Sequence, residues 1–227
     1  LNRLIATIVF LVSFIVYYDT MAPTVSYWDC GEFIAVSHTL GVPHPPGSPF
    51  FLLLGRIASM LPITEDIAFR VNLLSPISSA FAVMFLYLVI VLLVANWKGG
   101  IKNYQDSLVS FGGGVIGSLT FAFTDSHWFN AVEAEVYAFS TFFTAIVVWL
   151  ILKWNEKANE IGNERYILII AYMIGLATGL HLLNLLAIPF IALIIYFKKY
   201  EPNWKTFGYT VAITGIVFFI IHNVIIK

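Results

Sequence analysis

Long, unbroken apolar runs alternate with short polar connections along the chain. The runs fall at Leu4 to Tyr18, Val71 to Trp97, Leu108 to Phe123, Val136 to Trp154, Tyr166 to Leu180, Leu185 to Phe197 and Phe207 to Ile226. A helix needs about 20 apolar residues to cross a bilayer, and the second, fourth and seventh runs supply that length outright. The third, fifth and sixth are short, so they need tilt, longer ends or surrounding protein. A membrane barrel would read as alternating segments of roughly ten residues, whereas a helix satisfies its own backbone polar groups, as lipid demands. The pattern predicts an all-α polytopic membrane protein with about seven transmembrane helices, forming a single transmembrane domain over 1–227.

Composition agrees: 59% of the residues are hydrophobic and 11% charged, outside the soluble range. Arg3 precedes a first run of signal-peptide length, but no small-x-small cleavage pattern follows. The chain opens without Met and stops inside an apolar run, which predicts the N-terminal part of a longer protein. Arg3, Lys98, Lys102, Lys153, Lys157, Arg165, Lys198, Lys199 and Lys205 fall on the N-terminal side of a seven-helix layout, leaving Arg56, Arg70 and Lys227 opposite. By the positive-inside rule the N-terminus is cytoplasmic, and the first, third and fifth loops face a periplasm or lumen. A bacterial inner membrane suits this layout. Basic residues sit singly at helix ends, which argues against a nucleic-acid partner. Membrane lipids are the evident surroundings.

The outer side is uneven. Its first loop runs from 19 to 70, its second from 124 to 136, and its third shrinks to a turn around His181. Within the first, Gly31 to Leu40 and Pro49 to Leu61 read as two short amphipathic surface helices. They are joined by "GVPHPPGSP", where Pro43, Pro45, Pro46 and Pro49 stiffen the chain around His44.

Asp29 and Glu32, three apart at the start of the first surface helix, point to one side. They suit helix capping, with Asp29 as N-cap and Glu32 at N3, and equally suit acid–base chemistry, one residue in each role. Glu133 and Glu135 enter the fourth transmembrane helix from outside. Two apart on a helix, they cannot share a face, so Glu135 is expected to point inward and Glu133 to be a solvated helix start. His181 and Asn184 lie among apolar neighbours, where polar groups tend to face a bundle interior or wet cavity. Gly175 and Gly179 form a small-xxx-small pair suited to a helix contact. Arg56 and Arg70 serve either as lipid-headgroup anchors or as a phosphate clamp. Asp, Glu and His together leave room for a divalent metal, although no spacing motif of ligands is present. No other cofactor is indicated. Cys30 is a poor nucleophile candidate because adjacent carboxylates suppress its thiolate.

An acidic residue in a large first outer loop with surface helices, and a second acid in the next outer loop, resembles the GT-C glycosyltransferases. "WDCGEFIAVSHTLGVPHPPGSPFF", with "FRVNLLSPISSA", "AVEAEVYAFS" and "GLATGLHLLNLLAIP", resembles more closely the N-terminal membrane part of a protein O-mannosyltransferase-like family. The likeness runs from the first helix to about Pro189, and D-x-G-E together with H-P-P-G is its most specific part. It implies a GT-C-like fold and transfer of a sugar, mannose in the family, from a polyprenyl-phosphate donor to Ser or Thr hydroxyls of an exported acceptor protein or peptide, with inversion. Asp29 takes the place of the family's loop-one catalytic acid, with Glu32 beside it. His44, Arg56, Arg70, Glu135, His181 and Asn184 are the candidates for substrate binding, from their location and chemistry. Two other classes compete: a transporter or flippase, and a non-catalytic membrane subunit of an export machine. No matched pair of broken helices speaks for the first, and the polar residues gather at one boundary instead of the midplane.

Overall fold

The computed structural model describes residues 1–225, and every regular element among them is helical. In chain order the helices are α1 (Asn2–Asp19), α2 (Cys30–Thr39), α3 (Pro49–Met60), α4 (Ile67–Asn72), α5 (Leu74–Trp97), α6 (Tyr104–Ala122), α7 (Asp125–Ala131), α8 (Val136–Lys157), α9 (Glu164–Thr178), α10 (Ala187–Lys199) and α11 (Trp204–Ile220). A 3-10 turn, Leu182–Leu186, leads into α10, and a π turn, Ile221–Ile225, follows α11. Ile226 and Lys227, which the layout above counts in the seventh run and on the outer side, lie outside the described residues.

Every apolar run becomes a helix, as its composition dictates. Among the described residues, five helical segments are long and apolar enough to cross a membrane, and six if α6 and α7, bent by 70° at their junction, form one broken span. The fifth run, α9, has 15 residues, short of the usual crossing length of about 20. Side chains set several helix starts. Asp66 accepts from the Phe69 amide at 3.1 Å, Asn103 from that of Asp106 at 2.8 Å, and Asn203 from those of Lys205 and Thr206, both at 3.0 Å. Each bond satisfies amides that a helix start otherwise leaves unpaired.

Helix α5 is central and packs against α1, α6 and α8. Its approach to α6 is close: a Cβ on Gly114 would lie 2.7 Å from Val91 and 2.9 Å from Tyr87. Tyr17 of α1 is fully buried and donates its hydroxyl to Ala122 O at 2.8 Å. A second core joins α8, α9 and α10 through Val147, Ile151, Trp154, Ile170 and Ile191.

The third core positions the site. It gathers Phe33 and Ile34 of α2, Phe51 and Leu52 of α3, Val71 of α4, Val136 and Phe143 of α8, and Leu180. The two surface helices of the sequence reading are therefore docked on the bundle. Helices α2 and α3 cross at Gly55, where a Cβ would fall 2.3 Å from Ser37 Oγ, so only glycine admits this crossing. Two short helices, α4 and α7, have no counterpart among the expected elements. Gly175 meets nothing within 4 Å, and Gly179 packs against Phe50. The expected small-residue helix contact is instead a junction between α3 and the end of α9.

Candidate active site

Three segments remote in sequence are tied together at one end of the bundle. The buried side chain of Asn72 donates to Ala22 O at 2.8 Å and Thr24 O at 2.9 Å, and accepts from Ala134 N at 3.1 Å. It thus joins the start of the first loop to the second. Phe50 N donates to Gly179 O at 2.9 Å, and Ser48 Oγ donates to Leu180 O at 2.9 Å. These two bonds fasten the proline-rich corner to the turn carrying His181.

Between these ties lies a small cleft of ≈ 70 Å³, lined by Asp29, Phe33, His44, Ser48, Glu135, Tyr137 and His181 among others. Asp29 is the N-cap of α2, but its side chain makes no capping hydrogen bond. Its side chain is 56% exposed, and Oδ2 stands 3.9 Å from His44 Nε2. Glu32 does not cap either. Its carboxylate takes the His44 amide at 2.7 Å and faces His44 Nδ1 at 2.7 Å, holding the corner from below. The hydrogen bond from His44 lowers Glu32 below the ordinary carboxylate range, and the same bond raises His44. The imidazole therefore stands between two carboxylates.

Opposite, burial raises Glu135 to about 7, with Asp29 and Glu133 adding to the shift by like charge. His181 accepts the Leu183 amide at Nδ1, 3.2 Å, which puts its proton on Nε2. Burial also lowers its pKa, so the ring is a neutral donor. Its face lies against Tyr137, 5.1 Å between centroids.

The structure does not bring Arg56, Arg70 or Asn184 into this cleft. Arg56 donates to His38 O and approaches His38 Nδ1. Arg70 donates to Leu61 O at 3.0 Å and Asp66 O at 3.4 Å. Both guanidiniums thus bind main-chain carbonyls of the first loop, which lie close in sequence and compete for the same donors. Asn184, 3% exposed, bonds Ala177 O, His181 O and Thr144 Oγ1, and so supports the His181 turn from behind.

Glu133 also departs from expectation. Residues 132–135 are not helical; Glu135 N donates to Glu133 O at 2.8 Å and Glu135 is extended. Two carboxylates two positions apart can then converge, and Glu133 is 2% exposed, not solvated. Its Oε2 accepts the Ser26 hydroxyl at 2.6 Å. Cys30, fully buried, donates to Glu135 Oε1 at 3.8 Å, and burial, then the two glutamates, push its thiol up. Two groups of side chains have metal-ligand spacing here: the exposed Asp29, Glu32 and His44, and the buried Cys30, Glu133 and Glu135. Asn72 and Ser26 were not among the expected site residues, and Glu133 was expected to be solvated. For Asn72 a signal existed, a polar residue inside the apolar "FRVNLL".

A family described as the N-terminal domain of protein O-mannosyl-transferase TMEM260 matches residues 29–204. Among curated proteins, the chain is 31% identical to protein O-mannosyl-transferase tmem260 of Dictyostelium discoideum, over 87% of this chain and 24% of that protein. It is 29% identical to protein O-mannosyl-transferase TMEM260 of Mus musculus, over 66% of this chain and 19% of that protein. The chain thus spans a quarter or less of the length of these relatives. No solved structure matches it.

Proposed function

The chain belongs to the family of protein O-mannosyl-transferase TMEM260 N-terminal domains, and from that premise we propose that it carries the active site of an inverting glycosyltransferase. The donor is a sugar, mannose, on polyprenyl phosphate; the acceptor is a Ser or Thr hydroxyl of an exported protein. The observation that carries this reading is the carboxylate of Asp29, free of its helix and half-exposed in a cleft shared with His44, Glu135 and His181. The names of the relatives support the reaction class.

In this reading Asp29 accepts the hydroxyl proton as the acceptor oxygen attacks the anomeric carbon. The bond from that carbon to the phosphate oxygen breaks on the opposite face, its electron pair leaves with the phosphate, and the anomeric centre inverts. A positioned general base contributes about 10² to 10⁴ in rate. His181, with its Nε2–H, donates to the departing phosphate and stabilises charge as it develops. Glu32 keeps His44 beside Asp29, and the lipid tail stays in the bilayer. In the orientation given by the basic residues, the N-terminus is cytoplasmic and the cleft opens on the periplasmic face of a bacterial inner membrane or on a lumen.

The test uses the full-length protein in detergent, labelled polyprenyl-phosphate mannose and a Ser/Thr peptide. Asp29→Asn is expected to lower transfer by about 100-fold or more while the protein stays monodisperse and folded. Full activity in that variant would overturn the assignment of the base.

A further inference from the structure

Beside the cleft, beginning with the residue after Asp29 and sharing Glu135 with the cleft wall, lies a buried group of titratable side chains. Cys30, Glu133 and Glu135 each present a ligand atom, and these atoms all lie within 4.8 Å of one another. The residues are 0%, 2% and 5% exposed. No Lys or Arg pairs with either glutamate among the described residues. His44 has its close carboxylate partners in Glu32 and Asp29. Buried carboxylates persist as anions only when paired or bound to a metal.

A second observation is independent of this clustering. Glu133 Oε1 is buried and has no hydrogen-bond partner, although Oε2 of the same carboxylate is held by Ser26. A buried acceptor with no partner calls for an explanation, an unseen ion among them. The Ser26 bond is also the outer support that metal-binding carboxylates commonly have.

We propose that Cys30, Glu133 and Glu135 bind a divalent cation of the zinc class. A thiolate with two carboxylates suits a borderline-soft, four-coordinate ion, whereas magnesium and calcium prefer oxygen alone. Binding releases the thiol proton to solvent, and the ion's charge answers the two carboxylates. The ion would clasp the first residue of α2 to the turn before α8, holding Asp29 opposite Glu135. Its role is positional, so the inference stands or falls apart from the glycosyltransferase reading.

The experiment adds Co²⁺, as a spectroscopic probe for zinc, to the purified, chelator-treated chain in detergent. One equivalent is expected to bind, with thiolate-to-cobalt charge-transfer absorption that Zn²⁺ abolishes. Cys30 is the single cysteine of this chain, so Cys30→Ser should remove the band, and Glu133→Gln should weaken binding by about 10-fold or more. Glu32→Gln should leave Co²⁺ binding unchanged. Absence of the band in the wild-type protein would overturn the proposal without appeal to any variant. Loss of Co²⁺ with Glu32→Gln but not with Cys30→Ser would also overturn it, by moving the ion to the exposed Asp29, Glu32 and His44 group.

Discussion

Asp29 and Cys30 are adjacent in the chain, yet each belongs to a different trio of titratable groups. Asp29 joins Glu32 and His44 on the exposed side, where both acids face the imidazole. Cys30 joins Glu133 and Glu135 in the interior, where little of any of the three meets solvent, although Glu135 also lines the cleft. The first group of charges is ordinary and adjustable; the second is costly and demands a partner. One helix start divides the two, because successive residues at the N-terminus of α2 point in different directions. Acidic residues that look equivalent in the sequence are thus separated by burial into an exposed set and an enclosed one.

The largest expected effect comes from breaking the support of the buried set. Asn72→Ala would strand Ala22 O, Thr24 O and Ala134 N, each unsatisfied group costing about 1–3 kcal/mol. A loss of about 3 kcal/mol or more is expected, read as a lower unfolding midpoint in detergent. A midpoint equal to wild type would mean that Asn72 does not hold the two loops together. Next comes the crossing that orients α2 and hence both sets. Gly55→Ala would push a methyl into Ser37 and cost about 1–3 kcal/mol. The double variant Gly55→Ala with Ser37→Gly should recover part of that loss; no recovery would place the strain elsewhere.

The smallest effect belongs to the exposed set and depends on pH. Glu32 is lowered from 4.5 and His44 raised from 6.5 by their mutual hydrogen bond. The pair therefore contributes fully between about pH 4.5 and 6.5. Its contribution is lost as pH falls through the lowered Glu32 value, and also as pH rises through the raised His44 value. Titration of labelled histidine by NMR should show His44 above 6.5 in the wild type and nearer 6.5 in Glu32→Gln. An unchanged His44 titration would dissolve the pair.

Much of this end of the protein could be read from the sequence because its signals are local. Apolar runs gave the long helices, and the docked helices α2 and α3 fell within a residue or so of their expected bounds. Alternation of the loops between the two ends of the bundle put Asp29, His44, Glu135 and His181 at one end, and the cleft gathers them. What escaped was long-range. Asn72 bonds across 48 to 62 positions of sequence, and such a bond leaves no periodic trace. Glu133 looked like a solvated helix start because glutamate is seldom buried; the non-helical turn at 132–135 took it inside. Arg56 and Arg70 had the chemistry of a phosphate clamp, but nearby carbonyls of their own loop claimed the donors.

The bonds from Ser48 and Phe50 to the end of α9 carry a consequence for how a guest is received. Two ties across one corner oppose its opening, so that part of the wall is held in place by the fold itself. Little ordering then remains to be done on arrival, which favours fast, tight capture of molecules that already fit.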